Sequence, residues 1–301
     1  MLAQPSNSQL ADGISAPNDA SRLGGLSPRA DLSQPAAAPE FGPGTFSMRQ
    51  KFWSKAALKR SFRTLGVDIR RAGHDWTDTT QFLPLESTLQ AAKAAHLSVG
   101  DYIDEVVNKI PGATQTTIDG MRKLGVFDGK IATVIEIGPG SGRYLEKTIA
   151  ACSPERYEIY ETAEPWAKYV ERTYGVIRQA TNGRTLAGSA SASADLVQAH
   201  KVFCGISLTP TLSNWREMAR VTRPGGHVVF DVITEECLSP QMIERWVDAD
   251  MHLGAYPATI PKAVCVNYFA WRNFDLKGTF QIKLGQPGTT EVLVFQRRIA
   301  S

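Results

Sequence analysis

From Ile131 onward, short apolar runs alternate with stretches whose apolar residues recur at the helical spacing. Residues 131–137 (IATVIEI) and 156–160 (RYEIY) predict strands, and 144–151 (YLEKTIAA) and the proline-opened 165–174 (PWAKYVERTY) predict helices. Residues 194–199 predict a fourth strand running out at His200, followed by a helix near 212–222 and a strand over 228–233 (VVFDVI). This alternation predicts a doubly wound, mostly parallel sheet with right-handed crossovers and helices on both faces. The end of the chain differs. Residues 279–284 (TFQIKL) and 291–297 (EVLVFQR), split by a Gly-containing loop, predict an antiparallel C-terminal hairpin.

Upstream, residues 84–125 predict a helical N-terminal cap. Ser98 with Asp101 forms a capping box ahead of Tyr102, Ile103, Val106, Val107 and Ile110, and Pro111-Gly112 ends that helix. A further helix over 114–124 carries Ile118, Met121 and Leu124. The first 47 residues lack such a pattern: 26 of them are Ala, Ser, Pro or Gly, which predicts a disordered leader or an appended remnant, with Met48 as a candidate native start.

Composition changes the picture little. The 301 residues are 43% hydrophobic and 21% charged, as in an ordinary globular protein, and neither a membrane-spanning run nor a secretory signal is legible. The expected location is cytoplasmic. Charge is more telling, because residues 48–71 hold eight Lys or Arg against Asp68 alone, while the whole chain is only +3. Phe52, Ala56, Phe62 and Leu65 fall near one face of that basic segment, which suits either a solvated helix or peripheral contact with an anionic membrane. One short basic stretch is not a nucleic-acid footprint. The four cysteines and five histidines show no ligand spacing, so no metal is expected.

The chemistry is carried by residues 136–143, EIGPGSGR, set directly between a strand and a helix. Gly138, Gly140 and Gly142 let a ligand approach the backbone closely, which implies a nucleotide-like cofactor. The dinucleotide fingerprint needs a third glycine where Arg143 stands, so the motif disfavours NAD.

Acid-x-G-x-G-x-G after the first strand resembles the first motif of the class I S-adenosylmethionine-dependent methyltransferases, and the resemblance covers roughly residues 113–298. It implies a Rossmann-like fold and S-adenosylmethionine as cofactor, with 48–112 as basic segment and cap and 113–301 as the methyltransferase domain. It also implies roles by position. Glu136 would orient the turn or meet the methionine amine; Glu161, 19 residues past Gly142, would accept from the ribose hydroxyls, with Glu164 as backup. Asn182, followed by Gly183, stands where the family meets the adenine amine, and the turn 223–226 (RPGG) resembles the entry to its fifth strand.

Methyl transfer to a hydroxyl needs a base, and the ends of parallel strands four and five supply His200 first and Asp231 second. Residues 200–203 read HKVF, not the N-P-P-Y-like tetrad of amino-methylating relatives, which favours an oxygen acceptor. The long stretch 234–274 holds Trp246, Tyr256, Tyr268, Phe269 and Trp271, suited to a saccharide or another flat acceptor, though core packing explains them as well. Two alternatives stay open. A nucleotide-cofactor oxidoreductase or epimerase would usually carry a Tyr-x-x-x-Lys pair, whereas Tyr157 and Tyr169 are followed four on by Glu161 and Thr173. A catalytically silent binding module would keep the fold with its acceptor pocket closed.

Overall fold

The computed structural model describes residues 83–248, 258–285 and 288–299. The leader, the basic segment 48–71 and Tyr256 lie outside these residues. The cap begins with α1 (Leu85–Ala94) and α2 (Val99–Tyr102), and α2 runs on as a π turn over Ile103–Val107; α3 is Ala113–Lys123. There follow β1 (Thr133–Ile137), α4 (Arg143–Cys152), β2 (Arg156–Tyr160), α5 (Glu164–Tyr174), β3 (Ile177–Arg178), β4 (Ala194–Ala199), α6 (Leu208–Val221) and β5 (Thr222–Val232). The chain closes with a 3-10 turn at Glu235–Cys237, α7 (Pro240–Asp248), α8 (Lys262–Trp271), β6 (Phe274–Gly285) and β7 (Gly288–Arg297).

The strands form one sheet in the order β3-β2-β1-β4-β5-β7-β6. The first five are parallel, and the hairpin inserts β7 antiparallel between β5 and β6. Alternating side chains feed two cores. Ile135, Val197, Val228 and Phe230 face Trp215 and Phe269 on one side, while Val134, Leu196 and Val229 face Met121, Leu145 and Val170 on the other. The sequence therefore buries both faces, and the connections diverge between β1 and β4. That point is the topological switch, where a doubly wound sheet opens a crevice beyond its strand ends.

Three expectations change. Ser98 does cap its helix, accepting from the Asp101 N–H at 3.1 Å, but the regular helix lasts only four residues. The π turn shifts the register, so Asp104 goes inside at 1% exposure while Val106, at 46%, and Val107 face outward. The turn 223–226 is not separate from its strand but lies inside β5, with Gly225 at φ 79° and a register shift where β4 passes from Ala194 to Leu196.

The third change concerns the stretch 234–274, whose described residues are largely helical. Its helix α8 starts at the carboxyl edge, where Lys262 pairs with Glu291 opposite Val232. It ends at the amino edge, where β6 begins with Phe274 opposite Arg297. Phe269 is buried between Phe295 and Phe274, Tyr268 leans on Trp215, and Trp271, 71% exposed, sits at the edge away from the crevice. These three aromatics are core or far surface, not an acceptor platform. Among the described residues no helix is long and apolar enough to cross a membrane.

Candidate functional site

The Gly-rich turn leaves the carboxyl end of β1 in a conformation only glycine adopts cheaply. Gly138, Gly140 and Gly142 have φ of 63°, 52° and 80°. A Cβ at Gly138 would stand 2.8 Å from Val202 Cγ2, and one at Gly142 would stand 2.9 Å from Tyr174 Cε2. The Gly138 N–H donates to the Tyr160 carbonyl at 2.8 Å, tying the turn to β2. Gly142 is the N-cap of α4, so the first N–H groups of that helix point at the crevice without helical partners.

Glu161 lies at the end of β2 and closes over this turn. Its Oε2 accepts from the Gly140 N–H at 2.8 Å and its Oε1 from the Ala163 N–H at 2.7 Å. Burial raises its pKa, against the pull of those N–H groups. Glu164 instead stands on the surface, in ion pairs with Lys168 and Arg178. Its position is accounted for by that network.

Glu136 and Asn182, also expected near the donor, already have partners within the chain. Glu136 points away from the crevice, buried against α4, where Oε2 accepts from the Tyr157 hydroxyl at 2.6 Å and Gln198 in turn donates to that hydroxyl at 2.9 Å. Burial pushes its carboxyl up to about 7 despite the hydrogen bonds from Tyr157 and Gln198. Glu136 thus underpins the turn from below. Asn182 is exposed, and its Oδ1 already accepts from the Arg184 and Thr185 N–H groups at 2.9 and 3.0 Å. An amide oxygen occupied by its own turn is a poor acceptor for an adenine amine. Gly183 beside it, at φ 72°, lies close to Thr162, so this turn does border the end of β2.

At the end of β4, His200 is buried and stacks on Tyr144 with ring centres 4.4 Å apart. Neither ring nitrogen has a partner among the described residues, and the same holds for the buried Ser141 hydroxyl on the Gly-rich turn. Buried polar atoms are seldom left so, and these border the switch point. Burial lowers the imidazole pKa to about 4; the Asp231 carboxylate opposes this, while the Lys201 and Arg143 cations assist it. The ring is therefore neutral near pH 7 and has an electron pair to offer.

Asp231 is placed differently from a free base. Its Oδ2 stands 3.0 Å from Lys201 Nζ and its Oδ1 accepts from the Lys201 N–H at 2.6 Å. Burial alone would raise this carboxyl, but the Lys201 ammonium, with help from His200, Thr290 and the Lys201 N–H, holds it below the ordinary range. The carboxylate is thus held in its charged form at the strand end, paired with Lys201. Lys201 also donates from Nζ to Thr290 on β7, and it adopts φ 61°, a left-handed backbone uncommon for a lysine.

Sequence reasoning passed over four residues that the fold brings here. Arg143, the first residue of α4, pairs through Nη1 with Asp104 at 2.5 Å and lies over the Tyr144 ring at 5.0 Å. Lys201, Tyr144 and Arg143 adjoin motif residues, and adjacency was the signal available. Asp104 left none, because a π turn has no periodic signature. Among the described residues, no group of three or more His, Cys, Asp or Glu side chains is gathered as for a metal ion.

Comparisons with known proteins give a family match and a likeness of fold. Residues 135–230 match the family model described as a methyltransferase domain. The fold is similar to that of an O-methyltransferase family protein from Burkholderia thailandensis, with a TM-score of 0.50, 16% identity, and 82% of this chain and 84% of the other covered. It is also similar, with a TM-score of 0.45 and 17% identity over 70% of this chain and 99% of the other, to the N-methyltransferase NodS from Bradyrhizobium japonicum WM9, solved with S-adenosyl-L-homocysteine. No curated protein sequence matches the chain.

Proposed function

We propose that this class I S-adenosylmethionine-dependent methyltransferase delivers the methyl group to a hydroxyl of a small molecule, saccharides included, with His200 as the base. The donor's place is the Gly138–Gly142 turn. Its glycines hold positive φ angles that pack the turn tightly against Val202 and Tyr174, its helix N-terminus offers N–H groups, and Glu161 keeps a second lone pair on each oxygen for ribose hydroxyls. Adenine recognition then falls to the backbone of the Asn182-Gly183 turn, since the Asn182 oxygen is occupied.

When bound, S-adenosylmethionine supplies an electrophilic methyl on a positively charged sulfur. What remains for the chain is to align the acceptor and remove its proton. His200 would take the acceptor's hydroxyl proton on a ring nitrogen as the methyl group is transferred and the sulfur leaves uncharged. The observation carrying this reading is a buried, neutral imidazole with both nitrogens unpartnered among the described residues at the end of β4.

The test is a screen of saccharide and phenol hydroxyls with methyl-labelled donor, repeated with His200→Ala. Turnover is expected to fall by about 100-fold or more, the usual range for losing a general base, while S-adenosylhomocysteine affinity is retained. The pH profile gives a second check. A base depressed to about 4 is neutral above that pH, so the rate holds down to about pH 5 and is lost as pH falls through about 4. Turnover within a few-fold of the unmodified chain, or an acid limb at the ordinary imidazole value, removes His200 from this role.

A further inference from the structure

An ion pair crosses from the cap to the Gly-rich turn. Asp104, 1% exposed, reaches Arg143 Nη1 through Oδ1 at 2.5 Å and accepts the Thr114 N–H on Oδ2 at 2.9 Å. Arg143 directly follows Gly142, and little of its side chain meets solvent. Its guanidinium covers Tyr144, whose ring also stacks on His200, so Arg143, Tyr144 and His200 form one cluster beside the switch point. The backbone of α2 rests on this arginine: a Cβ at Gly100 would come within 3.0 Å of Arg143 Cβ.

A largely buried guanidinium at this place meets a particular difficulty. The methyl donor is a sulfonium cation and its product, S-adenosylhomocysteine, carries no charge on sulfur. An uncompensated cation beside the turn would repel the substrate and favour the product. Contact neutralisation by a buried carboxylate removes that bias while leaving the arginine to hold Tyr144 against His200.

We propose that Asp104, carried by the N-terminal helical cap, is a positioning residue that cancels the Arg143 charge at the donor site and so sets the affinity of the charged donor relative to its neutral product. The cap thereby belongs to donor recognition, not only to packing. This inference rests on placing the donor at the Gly138–Gly142 turn.

Calorimetric titration of the full chain with S-adenosylmethionine and S-adenosylhomocysteine tests it through the ratio of the two dissociation constants. Asp104→Asn keeps the shape and an oxygen for the Thr114 N–H but exposes the donor to the guanidinium charge. An unpaired like charge beside the site weakens a cation's binding and leaves a neutral ligand's unchanged, so the donor should weaken by several-fold beyond any loss for the product. Adding Arg143→Met to the Asp104→Asn chain should restore the ratio. Arg143→Met alone leaves the carboxylate and should shift the ratio toward the donor, which keeps the inference testable if Asp104→Asn fails to fold. Equal weakening of both ligands, an unchanged ratio, or no response to Arg143→Met overturns it. Failure of the underlying placement looks different: Gly142→Val would then leave both affinities intact.

Discussion

Glu161→Ala is expected to abolish measurable S-adenosylhomocysteine binding. The carboxylate holds the Gly140 and Ala163 N–H groups at 2.8 and 2.7 Å, in a buried position at the end of β2. Hydrogen bonds to a charged acceptor contribute about 1.5–3 kcal/mol each, and the two donors would be left without a partner as the turn relaxes. Loss of both, together with the ribose contacts, amounts to at least about 100-fold in affinity by calorimetry. Glu164→Ala is the control. That residue sits in an exposed ion-pair network with Lys168 and Arg178, and its removal should leave binding within about twofold. Retained binding in Glu161→Ala would place the ribose elsewhere.

Gly142→Val is expected to lose donor binding by a comparable factor, and to lower stability as well. At φ 80° a β-branched residue sits in a region that costs about 1–2 kcal/mol even for an unbranched one, and its Cβ would meet Tyr174 Cε2 at 2.9 Å and Val170 Cγ2 at 3.2 Å. The turn must shift, and the N-terminus of α4 shifts with it. Gly175→Ala separates the two causes. Gly175 has a similar φ of 67° but nothing within 4 Å of a Cβ, so it should lose about 1 kcal/mol of stability by chemical denaturation and no affinity. An unchanged affinity in Gly142→Val would show that this turn does not cradle the donor.

Much of this arrangement is legible in the amino-acid sequence. Residues 131–137 announce their strand because a strand buried on both faces is apolar and β-branched or aromatic nearly throughout. The Gly138, Gly140 and Gly142 spacing marks the turn because positive φ angles select glycine whatever surrounds them. Glu161 is placed by the resemblance, which expects an acidic residue where the second strand ends, and that strand ends at Tyr160. What escapes depends on tertiary context. Asp104 enters the core only because a π turn slips the register of its helix, a shift no periodicity announces. Glu136 lies on the strand as expected, but strand alternation sends its carboxylate to the α4 face beneath the turn. Phe269 and Trp271 read as candidate platform aromatics because sequence cannot tell that α8 runs from the carboxyl edge of the sheet to the amino edge.

Asp231 illustrates the same limit. Its position at the end of a parallel strand follows from the pattern, yet its chemistry is set by Lys201, 30 residues earlier in the chain and 3.0 Å away in space. A carboxylate facing a lysine ammonium is stabilised in its charged form and becomes a weak base. His200 beside it is also shifted down, and burial together with the same cation leaves its ring neutral. Both candidates take their charge state from their surroundings, not from residue type alone.

The identity of the donor underlies every role assigned to these residues, and side-by-side calorimetric titration of the unmodified chain with S-adenosylhomocysteine and NADH tests it most directly. Micromolar, one-to-one binding of S-adenosylhomocysteine with no heat from NADH is the predicted result. Binding of NADH without S-adenosylhomocysteine, or of neither, would contradict the assignment of the Gly138–Gly142 turn to a sulfonium donor.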